Sequence, residues 1–101
     1  MKRGWVYILQ CSNGSFYTGS TIDLNKRFRE HQNGLGSNYT KKHLPVKLVY
    51  YEEFPNIKLA FEREKQIQGW RRKKKKALIN GKYESLPKLS HNYSQFSDWR
   101  D

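Results

Sequence analysis

Two segments of this sequence put charged side chains where helical periodicity demands apolar ones, and both intrusions have chemical consequences. From residue 57 onward, Ile57, Ala60, Phe61 and Ile67 fall on one face of a helix turning about 100° per residue, and Glu64 lands in the middle of that face while Glu62 points well away. A carboxylate taken out of water is costly unless it is paired or bound to a cation. Glu64 is therefore a candidate metal ligand, with an internal ion pair to Arg71, one repeat along the same face, as the structural alternative. In the other segment, Leu24, Phe28 and Leu35 mark an apolar stripe with Arg27 and His31 beside or within it, whereas Lys26, Arg29 and Glu30 face outward. Arg27 and His31 stand one turn apart, so their side chains can converge, and a fixed guanidinium beside an imidazole suits phosphate recognition. Against this reading stand a snorkelling Arg27 and a partly buried, hydrogen-bonded His31, which is the preferred reading for His31 taken alone.

Tyr7 and Tyr17 add two phenolic hydroxyls that a hairpin would bring near each other. A tyrosine by itself is more often core than chemistry, but with Glu64, Arg27 and His31 the pair completes a set of acid, base and phosphate-binding groups. The three histidines, His31, His43 and His91, are too scattered for a zinc pattern. Cys11 is the sole cysteine, which leaves neither an intrachain disulfide nor a thiolate cluster; it is expected to pack as a small strand residue in a protein of the reducing cytoplasm.

The elements that must position these residues are legible from patterning. Residues 5–11 and 15–20 are rich in aromatic and β-branched types, and the Asn13-Gly14 pair between them marks a tight hairpin. The first strand is apolar on both alternating faces, as expected of a central strand covered on two sides. Asp23 caps a helix running to about Asn33, ended by Gly34 and Gly36. Residues 46–54 form a third strand, and Asn56 caps a helix that bends or breaks at Gly69 and continues through Leu78 and Ile79 to Gly81. The order β-β-α-β-α-α implies an α+β fold: a small three-stranded antiparallel sheet, an N-terminal hairpin plus one strand, flanked by helices. Residues 1–82 form the one domain that a chain of 101 residues accommodates, and residues 83–101 a polar, partly loose tail with a packed turn at Leu86-Pro87.

Twenty Lys and Arg against nine Asp and Glu give a formal charge of +11, the balance of a polyanion binder, with nucleic acid as the leading partner. A membrane surface is the competing polyanion, but no segment approaches the roughly 18 apolar residues of a span, no helix joins a basic face to a wide lipid-facing one, and the apolar run of residues 5–9 is too short for a signal peptide. Arg71, Arg72, Lys73, Lys74, Lys75 and Lys76 form an unbroken basic run on a helical segment. Such a run grips phosphates without base specificity, with Lys26 a further contact; its bland reading is a solvated helix face, and its match to a nuclear-localisation pattern is weak.

Trp5-Val6-Tyr7, then Tyr17-Thr18-Gly19 ten residues after Tyr7, then Arg27 and His31 on the following helix, then Ala60-Phe61-Glu62-Arg63-Glu64, stand in the order of the GIY-YIG nuclease superfamily. This superfamily includes the incision subunit of bacterial nucleotide excision repair, some homing endonucleases and structure-selective endonucleases. The chain resembles its short, stand-alone bacterial members over about residues 4–80, with Trp5 in place of the name-giving glycine and Thr18 in place of the isoleucine. Asn80 is the weak counterpart of the C-terminal asparagine of some homing enzymes. The resemblance implies an endonuclease acting on DNA ahead of RNA, in a DNA-repair setting, in which water attacks a phosphate. Glu64 would hold one Mg²⁺ or Mn²⁺, Arg27 neutralise a non-bridging oxygen, and Tyr7 orient the water or accept its proton, with Tyr17 and His31 in support. A single inward carboxylate independently favours one metal over two. The alternatives are a catalytically idle DNA- or RNA-binding module on the same fold and an RNA-associated structural protein.

Overall fold

The structure, a computed structural model, describes residues 2–81; the expected loose tail and the turn at Leu86-Pro87 lie outside the described residues. Strand β1 (Gly4–Gln10) turns through Ser12-Asn13-Gly14-Ser15 into β2 (Phe16–Thr21). Gly14 takes the left-handed conformation with φ +87, and Asn13 Oδ1 accepts from the Ser15 amide at 3.1 Å and from its hydroxyl at 2.6 Å, which is the local chemistry that selects a tight connection here. Helix α1 (Leu24–Gln32) follows, capped by Asp23 accepting from the Lys26 amide at 3.1 Å. After a single-turn helix α2 (Asn38–Lys41), strand β3 (Lys47–Phe54) leads into α3 (Ile57–Gln68) and α4 (Arg72–Ile79). The break between α3 and α4 falls at Gly69, as expected, and Asn56 caps α3 through the Leu59 amide at 3.0 Å.

The sheet order is β2-β1-β3, antiparallel throughout, so β1 is the central strand. Its alternation feeds two separate cores. Val6 and Ile8 pack against Ile67, Trp70 and Leu78, which puts α3 and α4 on one face. Tyr7, Leu9 and Cys11 pack with Val46, Leu24 and Phe28, which puts α1 on the other. Arg63 of α3 makes a two-pronged ion pair with Glu52 of β3, at 3.1 Å from each of two nitrogens, and this fixes the rotation of the helix that carries Glu64.

Three details depart from the sequence pattern. Leu35 is 71% exposed because it lies past Gly34, where the chain has already left the helix. Phe61 is also exposed: α3 faces the sheet along the line of Ala60 and Ile67, and the Phe61 ring instead lies against the Lys65 ammonium at 4.6 Å, one turn on. The connection before β3 carries the extra helix α2, whose Ser37 cap accepts from the Thr40 amide at 3.1 Å.

Candidate active site

The centre of the site is the Tyr7 phenol, carried inward by the buried central strand. Its cross-strand partner is Gly19, and a Cβ there would collide with the phenol oxygen, so the absence of a side chain in β2 is what lets Tyr7 lie across the edge strand. On the α1 side, the Tyr7 hydroxyl meets His31 Nε2 at 2.9 Å, and His31 Nδ1 meets Thr40 Oγ1 at 2.8 Å. Tyr17 completes this pocket, its ring edge-on to the His31 ring with centroids 5.3 Å apart. Arg27 lies close enough for its positive charge to favour the phenolate and is itself paired with Glu30 at 3.0 Å. Lys26 joins Arg27, Lys2, Thr21, Asp23 and Glu30 around a shallow depression beside it.

Electrostatics fixes the protonation of this cluster. Burial pushes the Tyr7 pKa up to about 12; Arg27 opposes the rise, and the charges of Tyr17 and Glu64 add to it. Burial lowers the His31 pKa to about 4, with the Arg27 charge pushing the same way. Both residues are thus neutral near pH 7. The hydrogen-bond network is self-consistent when the Tyr7 hydroxyl donates to Nε2 and Nδ1–H donates to Thr40, whose own hydroxyl donates to the Ser37 carbonyl at 3.2 Å. Arg27 remains charged: burial works against its charge, but the hydrogen bond to Glu30 and the nearness of Tyr7 outweigh it and raise its pKa.

This depressed histidine predicts an acid-sensitive window. Above pH 6.5 His31 is neutral folded or unfolded and its contribution is complete; below 6.5 the unfolded chain takes the proton and the folded one does not until about pH 4. Stability should therefore fall by up to about 3 kcal/mol between those limits and level off below. Urea midpoints at pH 7, 6, 5 and 4.5 measure it, and His31→Gln should flatten the profile above pH 5, where carboxylates titrate little. An equally steep slope in that variant would assign the window to other groups.

Glu64 approaches from α3, on the other face of the sheet, and meets the same edge strand one residue along. Its Oε1 accepts from Ser20 Oγ at 2.5 Å and its Oε2 from Gln68 Nε2 at 2.7 Å, while Gln68 also donates to the Thr18 carbonyl at 3.3 Å. The carboxylate is half-buried and held by neutral donors, so its orientation does not depend on a buried ion pair. Ser20 and Gly19 are neighbours on β2, and the Glu64 charge reaches the Tyr7 phenol. Tyr7, Tyr17, Arg27 and His31 are thus brought into one cluster on the α1 face, while Glu64 lies on the α3 face at the adjacent residue of β2.

The basic run is not uniform. Arg71, Arg72, Lys73 and Lys76 are exposed, but Lys74 and Lys75 are half-buried. The Lys74 ammonium lies over the Trp70 ring at 4.9 Å, and burial lowers the Lys75 pKa. Sequence reasoning also missed Ser20, Gln68, Thr40 and the packing roles of Gly19 and Gly36. Gln68 carried a signal, standing one turn after Glu64. Thr40 carried none, because its partner is nine residues away across a loop.

Comparison with known proteins identifies the fold as nuclease-type. Residues 3–77 match the model of the GIY-YIG catalytic domain. A UPF0213 protein of Staphylococcus saprophyticus is 44% identical over 80 residues, covering 79% of this chain and 98% of its own length. A UPF0213 protein of Haloquadratum walsbyi is 45% identical over 74 residues, covering 73% and 83%. The solution NMR structure of a UPF0213 protein from Bacillus halodurans superimposes with a TM-score of 0.52 at 38% identity, covering 87% of this chain and 97% of that one. The chain belongs to the GIY-YIG family and, within it, to the UPF0213 proteins. No helix among the described residues is long and apolar enough to cross a membrane.

Proposed function

We propose that this protein is a divalent-metal-dependent nuclease that hydrolyses phosphodiester bonds in DNA. The observation that carries the reading is the meeting of three groups at one short stretch of β2: the Tyr7 phenol at Gly19, Glu64 at Ser20, and Arg27 acting on the phenol from α1. Among the described residues no three acidic, histidine or cysteine side chains cluster as a metal site. A single carboxylate with water and substrate phosphate completing the shell is how Mg²⁺ is commonly held, so the donor set fits one such ion. When bound, that ion would supply Lewis-acid stabilisation of the developing charge.

The chain's own residues account for the rest. Glu64, clamped by Ser20 and Gln68, presents its remaining lone pairs in a fixed direction. Arg27 offers a permanent charge to a non-bridging phosphate oxygen. The Tyr7 oxygen would accept a hydrogen bond from the attacking water and, as the minor phenolate, take its proton. Passing a proton outright to His31 is strongly uphill with these pKa values, so His31 serves to hold the phenol in place. A catalytically idle binding module is the second reading, favoured by one observation: the Tyr7 proton is held too tightly for a base at neutral pH unless added positive charge lowers its pKa.

The test is a cleavage assay on a panel of DNA and RNA structures with and without Mg²⁺ or Mn²⁺. Metal-dependent cutting is expected, with the rate rising up to about tenfold per pH unit between pH 6 and 9 as the phenolate fraction grows. Tyr7→Phe should slow the reaction about 100-fold and abolish that rise. A Phe variant with the parental profile would remove Tyr7 from the proton-transfer step.

A further inference from the structure

Side chains of α3 and α4 step along the edge strand β2 in register with it. Phe16, Thr18 and Ser20 share one face of β2. Glu64 is bound at Ser20 and Gln68 at Thr18, and the Arg72 guanidinium lies over the Phe16 ring at 4.4 Å. The spacing of four helix residues, about 6 Å, matches two strand residues, about 6.6 Å, and the ladder continues onto α4 despite the break at Gly69. Arg72 differs from the rest of the basic run. It is exposed, its guanidinium carbon is held over an aromatic face, and among the described residues no hydrogen bond or ion pair engages it. A cation–π contact restrains the guanidinium without using its N–H donors, and those donors are what a phosphate engages. Arg27, by contrast, already shares its guanidinium with Glu30.

We infer that Arg72 is the register anchor of the substrate: it binds one backbone phosphate of the DNA strand whose scissile phosphate lies at Glu64. Four strand residues separate Phe16 from Ser20, about 13 Å, so the anchored phosphate is roughly two to four phosphates from the cut. The inference rests on the nuclease reading for its register but not for the contact itself. Lys73 and Lys76, the exposed lysines of the run, add charge to the surface, and Phe16 is a positioning residue for Arg72.

Two measurements test it on the full chain. In anisotropy titrations of a labelled DNA duplex without metal, Arg72→Gln, which keeps the stem, should weaken binding about tenfold and make the log–log salt slope shallower by about 0.9. Phe16→Leu should weaken binding about threefold with the slope unchanged, since it frees the fork without removing the charge. Lys47→Gln, on the opposite sheet edge, should change neither. A parental slope in Arg72→Gln, or an equal loss in Lys47→Gln, would overturn the anchor in favour of diffuse attraction. In cleavage assays, single neutral methylphosphonates are placed at each position flanking the cut. One of them should slow the parent protein and leave Arg72→Gln indifferent; cutting with no such position also overturns the proposal. If no metal supports cutting while the slope result holds, the nuclease reading fails and the phosphate contact stands.

Discussion

Glu64→Gln should lower metal-dependent cleavage by at least about 1,000-fold while leaving the fold almost as stable as the parent. The variant keeps the shape of the side chain and loses the charge that holds a cation. Its surroundings tolerate that loss. Ser20 and Gln68 are neutral, a hydroxyl can donate or accept, and the amide of a glutamine can offer its oxygen to Gln68 and its NH₂ to Ser20. A stability change within about 1 kcal/mol is expected, in contrast to the 3 to 5 kcal/mol, roughly, that follows the breaking of a buried ion pair. Cleavage time courses in Mg²⁺ and Mn²⁺, paired with thermal melts, read both quantities. Cutting at the parental rate would remove Glu64 as metal ligand, and a sharply lowered melting temperature would revive the ion pair with Arg71.

Gly36→Ala should unfold far more easily than its small size suggests, by about 3 to 5 kcal/mol. A Cβ at this position would overlap Nδ1, Cε1 and Cγ of His31. The imidazole has nowhere to go: it is fully buried and hydrogen-bonded on both nitrogens, to Tyr7 and Thr40. Relief would require either moving the backbone of the loop or breaking those bonds in a dry interior, and the second leaves buried polar groups unmet. Gly14→Ala is the control, since Gly14 has positive φ but open space around it, and strain alone should cost about 1 to 2 kcal/mol. Urea titrations of the two variants with unchanged m-values compare them directly. A Gly36→Ala protein as stable as the parent would mean that the loop slides off the ring, and that His31 is not pinned from this side.

The two glycines after α1 illustrate what residue patterns carry. Both read as helix terminators. Gly34 is one, at φ +77, because only a glycine enters that conformation without cost. Gly36 has no such backbone requirement, and its reason for being glycine is a ring that lies five residues back in the chain and is turned onto it by the loop. The same division holds at Glu64. Helical periodicity exposed the anomaly of a carboxylate on the inner face, because the period is a property of the backbone alone. What that carboxylate meets depends on how α3 is rotated against β2, and this is set by Arg63 gripping Glu52 and by Ala60 and Ile67 seeking the core.

By itself the sequence determined the strands, the helices α1, α3 and α4, the caps Asp23 and Asn56, the central place of β1 and the match to the GIY-YIG domain over residues 3–77. These follow from local rules: alternation, capping and spacing act over a few residues and leave their mark in order along the chain. Only the tertiary structure decided that His31 is wholly buried and neutral, that Tyr7 keeps its proton, that Lys74 and Lys75 are partly withdrawn from the basic surface, and that Arg72 lies over Phe16. Desolvation and ring contacts depend on which distant atoms fill the space around a group, and that is settled only when the two faces of the sheet are closed by α1 on one side and α3 and α4 on the other.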